Sequence, residues 1–287
     1  MIAITGANGQ LGRLVINELL KKVPANQIVG LVRSVDKATD LKEQGISLRA
    51  VDYNKPESLT TAFENIDKLL FISSSEVGQR IEQHRAIIDA AKAAGVKFIA
   101  YTSLLHANTS PLGLAAEHIA TEAMLASSGI PFALLRNGWY TENYTASIAP
   151  ALQHGAFIGS AGEGRISSAS REDYAAAAAQ VITQDGQAGK IYELAGDSSY
   201  SLSEFAAEIS KQSGKTVDYV NLSPSEFSAQ LKSAGLPDGL ADLLADSDKG
   251  AEQGGLYGNS DALSKLIGRP TTPFSEVIAD TLKTLEK

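Results

Sequence analysis

The chain contains no cysteine, so disulfides, thiolate metal sites and cysteine nucleophiles are excluded. Only four histidines are present (His84, His106, His118, His154), and they do not fall at the spacing of zinc ligands. No metal site is expected. Aromatic residues make up 6%, with a single tryptophan. No apolar run approaches the roughly 20 residues that a membrane-spanning helix needs. Basic charge is also scarce: 25 Lys and Arg stand against 33 Asp and Glu, for a net charge of −8. That balance argues against nucleic acid and against an anionic membrane as partners. The first expected strand begins at residue 2, which leaves no room for a signal peptide, so a cytoplasmic location is expected.

Glycine, in contrast, is abundant and sits in a meaningful place. Thr5-Gly6-Ala7-Asn8-Gly9-Gln10-Leu11-Gly12 follows the apolar run Ile2-Ala3-Ile4. Leu11, Leu14, Val15 and Leu19 then recur at helical spacing. This is a glycine turn between a strand and a helix. Gly6 permits the tight turn, Gly9 lets the backbone approach a pyrophosphate, and Gly12 lets the helix pack close to the strand. The spacing is G-x-x-G-x-x-G, one residue longer in its first gap than the common dehydrogenase form. The free N–H groups of the helix's first turn point at the anion.

The first half of the chain alternates short apolar strands with helices, which predicts a parallel sheet with right-handed crossovers. Strands are expected at Ile2–Thr5, Gln27–Val32, Ser47–Val51, Lys68–Ser73, Lys97–Thr102 and Phe132–Arg136. Helices are expected at Leu11–Lys21, Val35–Gln44, Pro56–Phe63, Gln79–Ala94 and Leu112–Ser127. The fold class is therefore α/β, a doubly wound Rossmann sheet with a smaller, mainly helical C-terminal substrate domain. The first domain is expected over 1–150, with 166–195 returning to it. The second is expected over 196–287 with the loop 151–165. Gly250–Asn259 reads as a mobile glycine-rich loop.

The end of the second strand is where a dinucleotide's adenosine ribose is read. Arg33 stands there, with Lys37 a helical turn beyond, and a guanidinium can hold a 2′-phosphate through two hydrogen bonds. This favours NADPH over NADH. Ser73-Ser74-Ser75 ends the fourth strand, where small hydroxyl residues suit ribose and pyrophosphate. Asp52, after the third strand, is a candidate acceptor for the adenine amino group.

The glycine turn, Val32-Arg33, Ser73–Ser75, Asn137-Gly138-Trp139-Tyr140 after Leu134-Leu135-Arg136, and the closing Leu266-Ile267-Gly268-Arg269-Pro270-Thr271-Thr272 together resemble the NmrA-like atypical short-chain dehydrogenases. The resemblance runs essentially end to end and is nearest to the quinone-reducing members. It implies NADPH held by Gly6, Ala7, Asn8, Gly9, Gln10 and Leu11, by Arg33, by Ser73, Ser74 and Ser75, and by Asn137, Gly138, Trp139, Tyr140, Thr141 and Glu142. A backbone contact at Ala169 is implied as well. Typical short-chain dehydrogenases carry a tyrosine acid and a lysine four residues later. Here Leu114 and His118 fall at those positions, and Thr102 or Ser103 where a catalytic serine sits.

The missing acid narrows the chemistry. A ketone yields a strongly basic alkoxide, for which a positioned acid is worth roughly two to four orders of magnitude. A quinone yields a far less basic hydroquinonate that can take its proton from water. An NADPH-dependent quinone reductase is therefore expected, working by two-electron hydride transfer to a small planar acceptor as a monomer or homodimer. Asn137, Tyr140 and His118 are the candidates to stabilise developing negative charge, and Trp139 the candidate wall for a flat substrate. The alternative is a redox-sensing regulator that binds NADP(H) without turnover.

Overall fold

The computed structural model describes residues 1–285. In chain order, β1 (Ile2–Ile4) leads into α1 (Gln10–Leu20), and β2 (Ile28–Val32) into α2 (Thr39–Glu43). There follow β3 (Ser47–Ala50), α3 (Pro56–Ala62), β4 (Lys68–Phe71), α4 (Arg80–Ala93), β5 (Phe98–Leu104), α5 (Ala115–Ser128) and β6 (Phe132–Asn137). Then come α6 (Thr141–Thr145), α7 (Ile148–His154), β7 (Ala156–Gly159), α8 (Arg171–Thr183) and β8 (Ile191–Leu194). The chain closes with α9 (Leu202–Ser213), β9 (Asp218–Asn221), α10 (Pro224–Ser233), α11 (Asp238–Glu252), α12 (Ala262–Ile267) and α13 (Phe274–Leu285).

The residues group into two compact units. Unit 1 holds Met1–Ala107, Ala116–Asn137 and Arg171–Tyr192. Unit 2 holds Asn108–Ala115, Gly138–Ser170 and the described residues from Glu193 on. The chain thus first leaves unit 1 for a short excursion at Asn108–Ala115 and then again at Gly138, ahead of the boundary at 150 expected from sequence. The sheet order is β3-β2-β1-β4-β5-β6-β8, and every pair from β3 to β6 is parallel. The order reverses between β1 and β4. In doubly wound sheets, the crevice beyond the carboxyl ends at such a reversal binds ligands. Ala3, Val29, Leu69 and Ile99 are wholly buried in the core of this unit, as a sheet covered on both faces requires.

Unit 2 contains a small parallel pair, β7 and β9, with Phe157 opposite Tyr219. Two sequence expectations are corrected by the structure. The single helix expected at Val35–Gln44 is a 3-10 turn (Val35–Ala38) followed by α2, broken where Ala38 leaves helical geometry at φ −133° and is buried. The mobile loop expected at Gly250–Asn259 is not a loop at its start, because α11 continues to Glu252. A Cβ on Gly250 would lie 2.8 Å from the Leu112 side chain, and one on Gly255 2.5 Å from it. These glycines allow close packing; they do not loosen the chain.

Candidate active site

The glycine turn is built at the reversal point. The Thr5 hydroxyl donates to the carbonyl of Ile72 at 2.9 Å, tying the end of β1 to the end of β4. Gly6 adopts φ +59°, which a side chain would disfavour. The Gly9 amide closes the turn onto the Gly6 carbonyl at 2.9 Å. A Cβ on Gly12 would sit 2.3 Å from that same carbonyl, so α1 can seat against the turn only with glycine there. Gly9 caps α1 without any side-chain acceptor, and the first turn carries no acid. The helix therefore presents uncapped N–H groups and its positive end. These free donors and the positive helix end suit a pyrophosphate. Asn8 faces Arg13, which in turn pairs with Asp40.

Arg33 stands at the end of β2 with its side chain 70% exposed and ion-paired to Glu76. Asp52 caps its own turn, accepting from the Asn54 amide at 3.1 Å. Its neighbour Tyr53 accepts from the Gly6 amide at 3.0 Å. Burial raises the Tyr53 pKa, so this phenol stays protonated at neutral pH.

Ser73, Ser74 and Ser75 differ in what they offer. The Ser73 amide donates to the Thr102 hydroxyl at 2.9 Å. Ser74 is buried and fully engaged. Its amide donates to His84 Nε2 at 3.0 Å, its hydroxyl to Gln83 Oε1 at 2.5 Å, and its carbonyl accepts from Arg80 Nε at 2.5 Å. Only Ser75 is exposed. Ser103 donates to Glu122 at 2.5 Å, and Glu122 also grips Arg136 through both oxygens. Thr102 and Ser103 thus serve structure.

His118 lies in a buried network on α4, α5 and β5. Arg80 Nη1 approaches His118 Nε2 at 3.4 Å, and a guanidinium can only donate. The imidazole proton is therefore on Nδ1, which donates to the Tyr101 hydroxyl at 2.8 Å. His84 is oriented the same way. The Ser74 amide fills its Nε2, so its Nδ1 proton goes to Thr121 Oγ1 at 2.8 Å, and Thr121 passes its own proton to the Glu117 carbonyl at 2.8 Å. Burial, and then the charge of Arg80, pushes both histidines down to a pKa of about 3. His118 is expected from sequence to help stabilise developing negative charge on a substrate, and its surroundings speak against that. Both of its ring nitrogens are engaged within unit 1, and it is 5% exposed.

The segment after β6 belongs to unit 2 from Gly138. Asn137 ends β6 with its carbonyl accepting from the Leu105 amide at 2.9 Å. Its side-chain Oδ1 is buried, with no hydrogen-bond partner among the described residues. Such an atom is costly unless a ligand satisfies it. Tyr140 forms a parallel bridge with Ala169. Around it the Ala169 amide donates to the Trp139 carbonyl at 3.2 Å, and the Thr141 amide to the Ala169 carbonyl at 3.0 Å. Thr141 Oγ1 is spent on Ser168 at 2.8 Å, while Tyr140 and Glu142 are only half-buried. Gly138 donates its amide to the Leu194 carbonyl at 2.8 Å.

Tyr53, Glu76, Arg80, Gln83 and His84 escaped sequence reasoning. One signal was available for three of them. Arg80, Gln83 and His84 fall in helical phase with Ile87, Ile88 and Ala91, so polar residues continue the buried face of α4.

Among the described residues, no cluster of three His, Asp or Glu could hold a metal. No helix among them is long and apolar enough to cross a membrane.

The reversal of strand order, the glycine turn and the uncapped helix define a Rossmann-type dinucleotide-binding protein. The model of the NmrA-like family matches residues 1–276, and the chain belongs to that family. It is 64% identical to quinone oxidoreductase 2 of Escherichia coli, over 97% of this chain and 98% of that one. The crystal structure of the E. coli NADPH-dependent quinone oxidoreductase in complex with NADPH superposes with a TM-score of 0.95 at 64% identity, covering 98% of this chain and 100% of that one. Triphenylmethane reductase of Citrobacter, complexed with NADP(H), gives a TM-score of 0.94 at 41% identity, over 98% of this chain and 100% of that one.

Proposed function

We infer that this chain is an NADPH-dependent quinone reductase. Unit 1 binds the pyrophosphate at the turn Gly6–Leu11 and reads the ribose 2′-phosphate through Arg33. Bound there, NADPH supplies a hydride, which makes the reduction a two-electron step. The chain's own residues contribute position and charge. Asn137, whose buried Oδ1 is an unfilled acceptor, helps to orient the reacting groups, and the Tyr140 hydroxyl, on the half-buried end of the same segment, donates to the oxygen that gains negative charge. Trp139 contributes a flat apolar wall. His118 holds neighbouring structure in place and moves no proton to substrate.

The observation that carries this reading is the fate of the helix that bears the acid in typical short-chain dehydrogenases. Leu114 is buried and apolar, and His118 is neutral and fully engaged. Chemistry that needs a strong proton donor has none there. A quinone does not need one. The 64% identity to a quinone oxidoreductase over nearly the whole chain points to the same acceptor class. The proposal includes a cytoplasmic setting, where NADPH is maintained, and a monomer or homodimer as the working form.

The test is NADPH oxidation, followed by its absorbance, with a simple benzoquinone as acceptor. Turnover is expected, and Asn137→Ala should lower it by roughly tenfold or more. Tight NADPH binding without turnover would overturn the reading in favour of a redox-sensing regulator.

A further inference from the structure

Arg33 is the cation at the adenosine end of the turn, yet its guanidinium is already engaged by Glu76. The acid is not a loose surface residue that happens to lie nearby. Gln83 Nε2 donates to its other oxygen at 2.7 Å and also reaches Asn54 Oδ1 at 3.2 Å. The Glu76 amide donates to the Ser74 hydroxyl at 3.2 Å. Ser74 is itself fixed by His84, Gln83 and Arg80, and two residues after Glu76 the Gly78 amide is held by Glu117 Oε1 at 2.9 Å. The loop carrying Glu76 is thus clamped at both ends by the buried network of α4 and α5.

This arrangement changes what the ion pair means. Most exposed ion pairs are weak, because two long side chains must be ordered to make them. Here the carboxylate is held in advance and only Arg33 must settle. Asp52 adds a second negative charge within reach of both partners. An incoming 2′-phosphate, carrying between one and two negative charges, must take Arg33 from Glu76 and then remain beside two carboxylates. NADH has no such group and meets no such competition.

We propose that Glu76 is a specificity-determining residue that competes with the ribose 2′-phosphate for Arg33, so that NADPH is preferred over NADH less sharply than an unpaired arginine would allow. This inference rests on the NADPH reading above. It adds a second role for the buried histidine network: holding the loop that tunes coenzyme choice.

Calorimetric titration of the coenzyme-free protein tests it, with 2′,5′-ADP as the probe of the 2′-phosphate and NADH as the control. Glu76→Gln keeps an acceptor for Gln83 and removes the charge. It should tighten 2′,5′-ADP by about tenfold, as expected for removing a like charge at contact distance, and change NADH by less than about twofold. Glu76→Ala should act in the same direction, and thermal melts check that both variants fold. Unchanged 2′,5′-ADP affinity overturns the proposal. Weaker binding also overturns it, since Glu76 would then be positioning Arg33 for the phosphate. Arg33→Ala separates the two layers. If it leaves 2′,5′-ADP binding intact, the NADPH reading of this end fails. If it weakens binding while neither Glu76 variant tightens it, only the role of Glu76 fails.

Discussion

The two units bury polar groups in opposite ways. In unit 1 the buried centre is Arg80 with His84, His118, Tyr101 and Thr121, and the cation and the burial together keep both histidines neutral. In unit 2 it is Asp248, 3% exposed, accepting from the Tyr144 hydroxyl at 3.0 Å and from the Ser160 amide at 2.8 Å. Two donors do not offset the loss of water there, and burial raises its pKa to about 6. One unit thus suppresses protonation and the other promotes it. The same physical cause, desolvation of the charged form, acts on groups of opposite charge type.

The two units should therefore respond to acid with opposite signs. The largest effect is expected in unit 1. His84 and His118 are neutral in the fold down to about pH 3, whereas an unfolded chain protonates them near 6.5. The unfolded state then binds more protons throughout that window, so stability is full above pH 6.5 and falls as pH drops below it. The slope is roughly 1.4 kcal/mol per pH unit for each histidine. Native-state hydrogen exchange of β4 and β5 amides, corrected for intrinsic rates, measures it. Replacing His84 with Gln should halve the slope, and acid-insensitive protection would break the comparison.

Unit 2 should show a smaller trend of the other sign. Asp248 holds its proton to about pH 6 in the fold, against an ordinary 3.8. Between those values the folded state binds more protons, so stability falls as pH rises, by roughly 1.4 kcal/mol per pH unit. Asp248→Asn can keep both hydrogen bonds, its carbonyl accepting from Ser160 and its amide donating to Tyr144. The variant should lose this pH dependence and be more stable at pH 7. Trp139, the single tryptophan, lies in unit 2 and reports its unfolding in denaturant by fluorescence. A variant that keeps the wild-type slope would assign the trend elsewhere.

The smallest effect sharpens the comparison at helix starts. In unit 2, α9 and α10 open with complete capping boxes, Ser201 with Glu204 and Ser223 with Glu226. In unit 1, α1 and α4 have no side-chain cap. Ser201→Ala should destabilise unit 2 by about 1 kcal/mol and leave NADPH affinity unchanged in titration. A loss of coenzyme affinity would mean that the cap supports more than its own helix.

Much of this fold is legible in the sequence. The helices expected at Pro56–Phe63 and Gln79–Ala94 match α3 and α4 to within a residue because local signals mark their ends, such as Pro56 at the start of α3 and the left-handed Gly95 just after α4. The glycine turn was legible for the same reason: strand, turn and helix lie within twenty residues. His118 was misread because its partners, Arg80 and Tyr101, come from other elements, and sequence periodicity does not show which polar groups meet. Gly250 and Gly255 were misread because glycine signals freedom locally, while their purpose is to admit Leu112 and Pro111, more than a hundred residues earlier.

The sequence by itself determined the dinucleotide turn, the arginine at the end of β2, and the absence of a tyrosine-lysine acid pair. Each is a matter of residue type at short range, where covalent connection guarantees proximity. Only the tertiary structure decided which tautomer His84 and His118 adopt, that Glu76 occupies Arg33 across 43 residues of chain, and that Asp248 keeps its proton to about pH 6. These depend on burial and on donors brought in from distant elements, because desolvation and hydrogen bonding act through space and not along the chain.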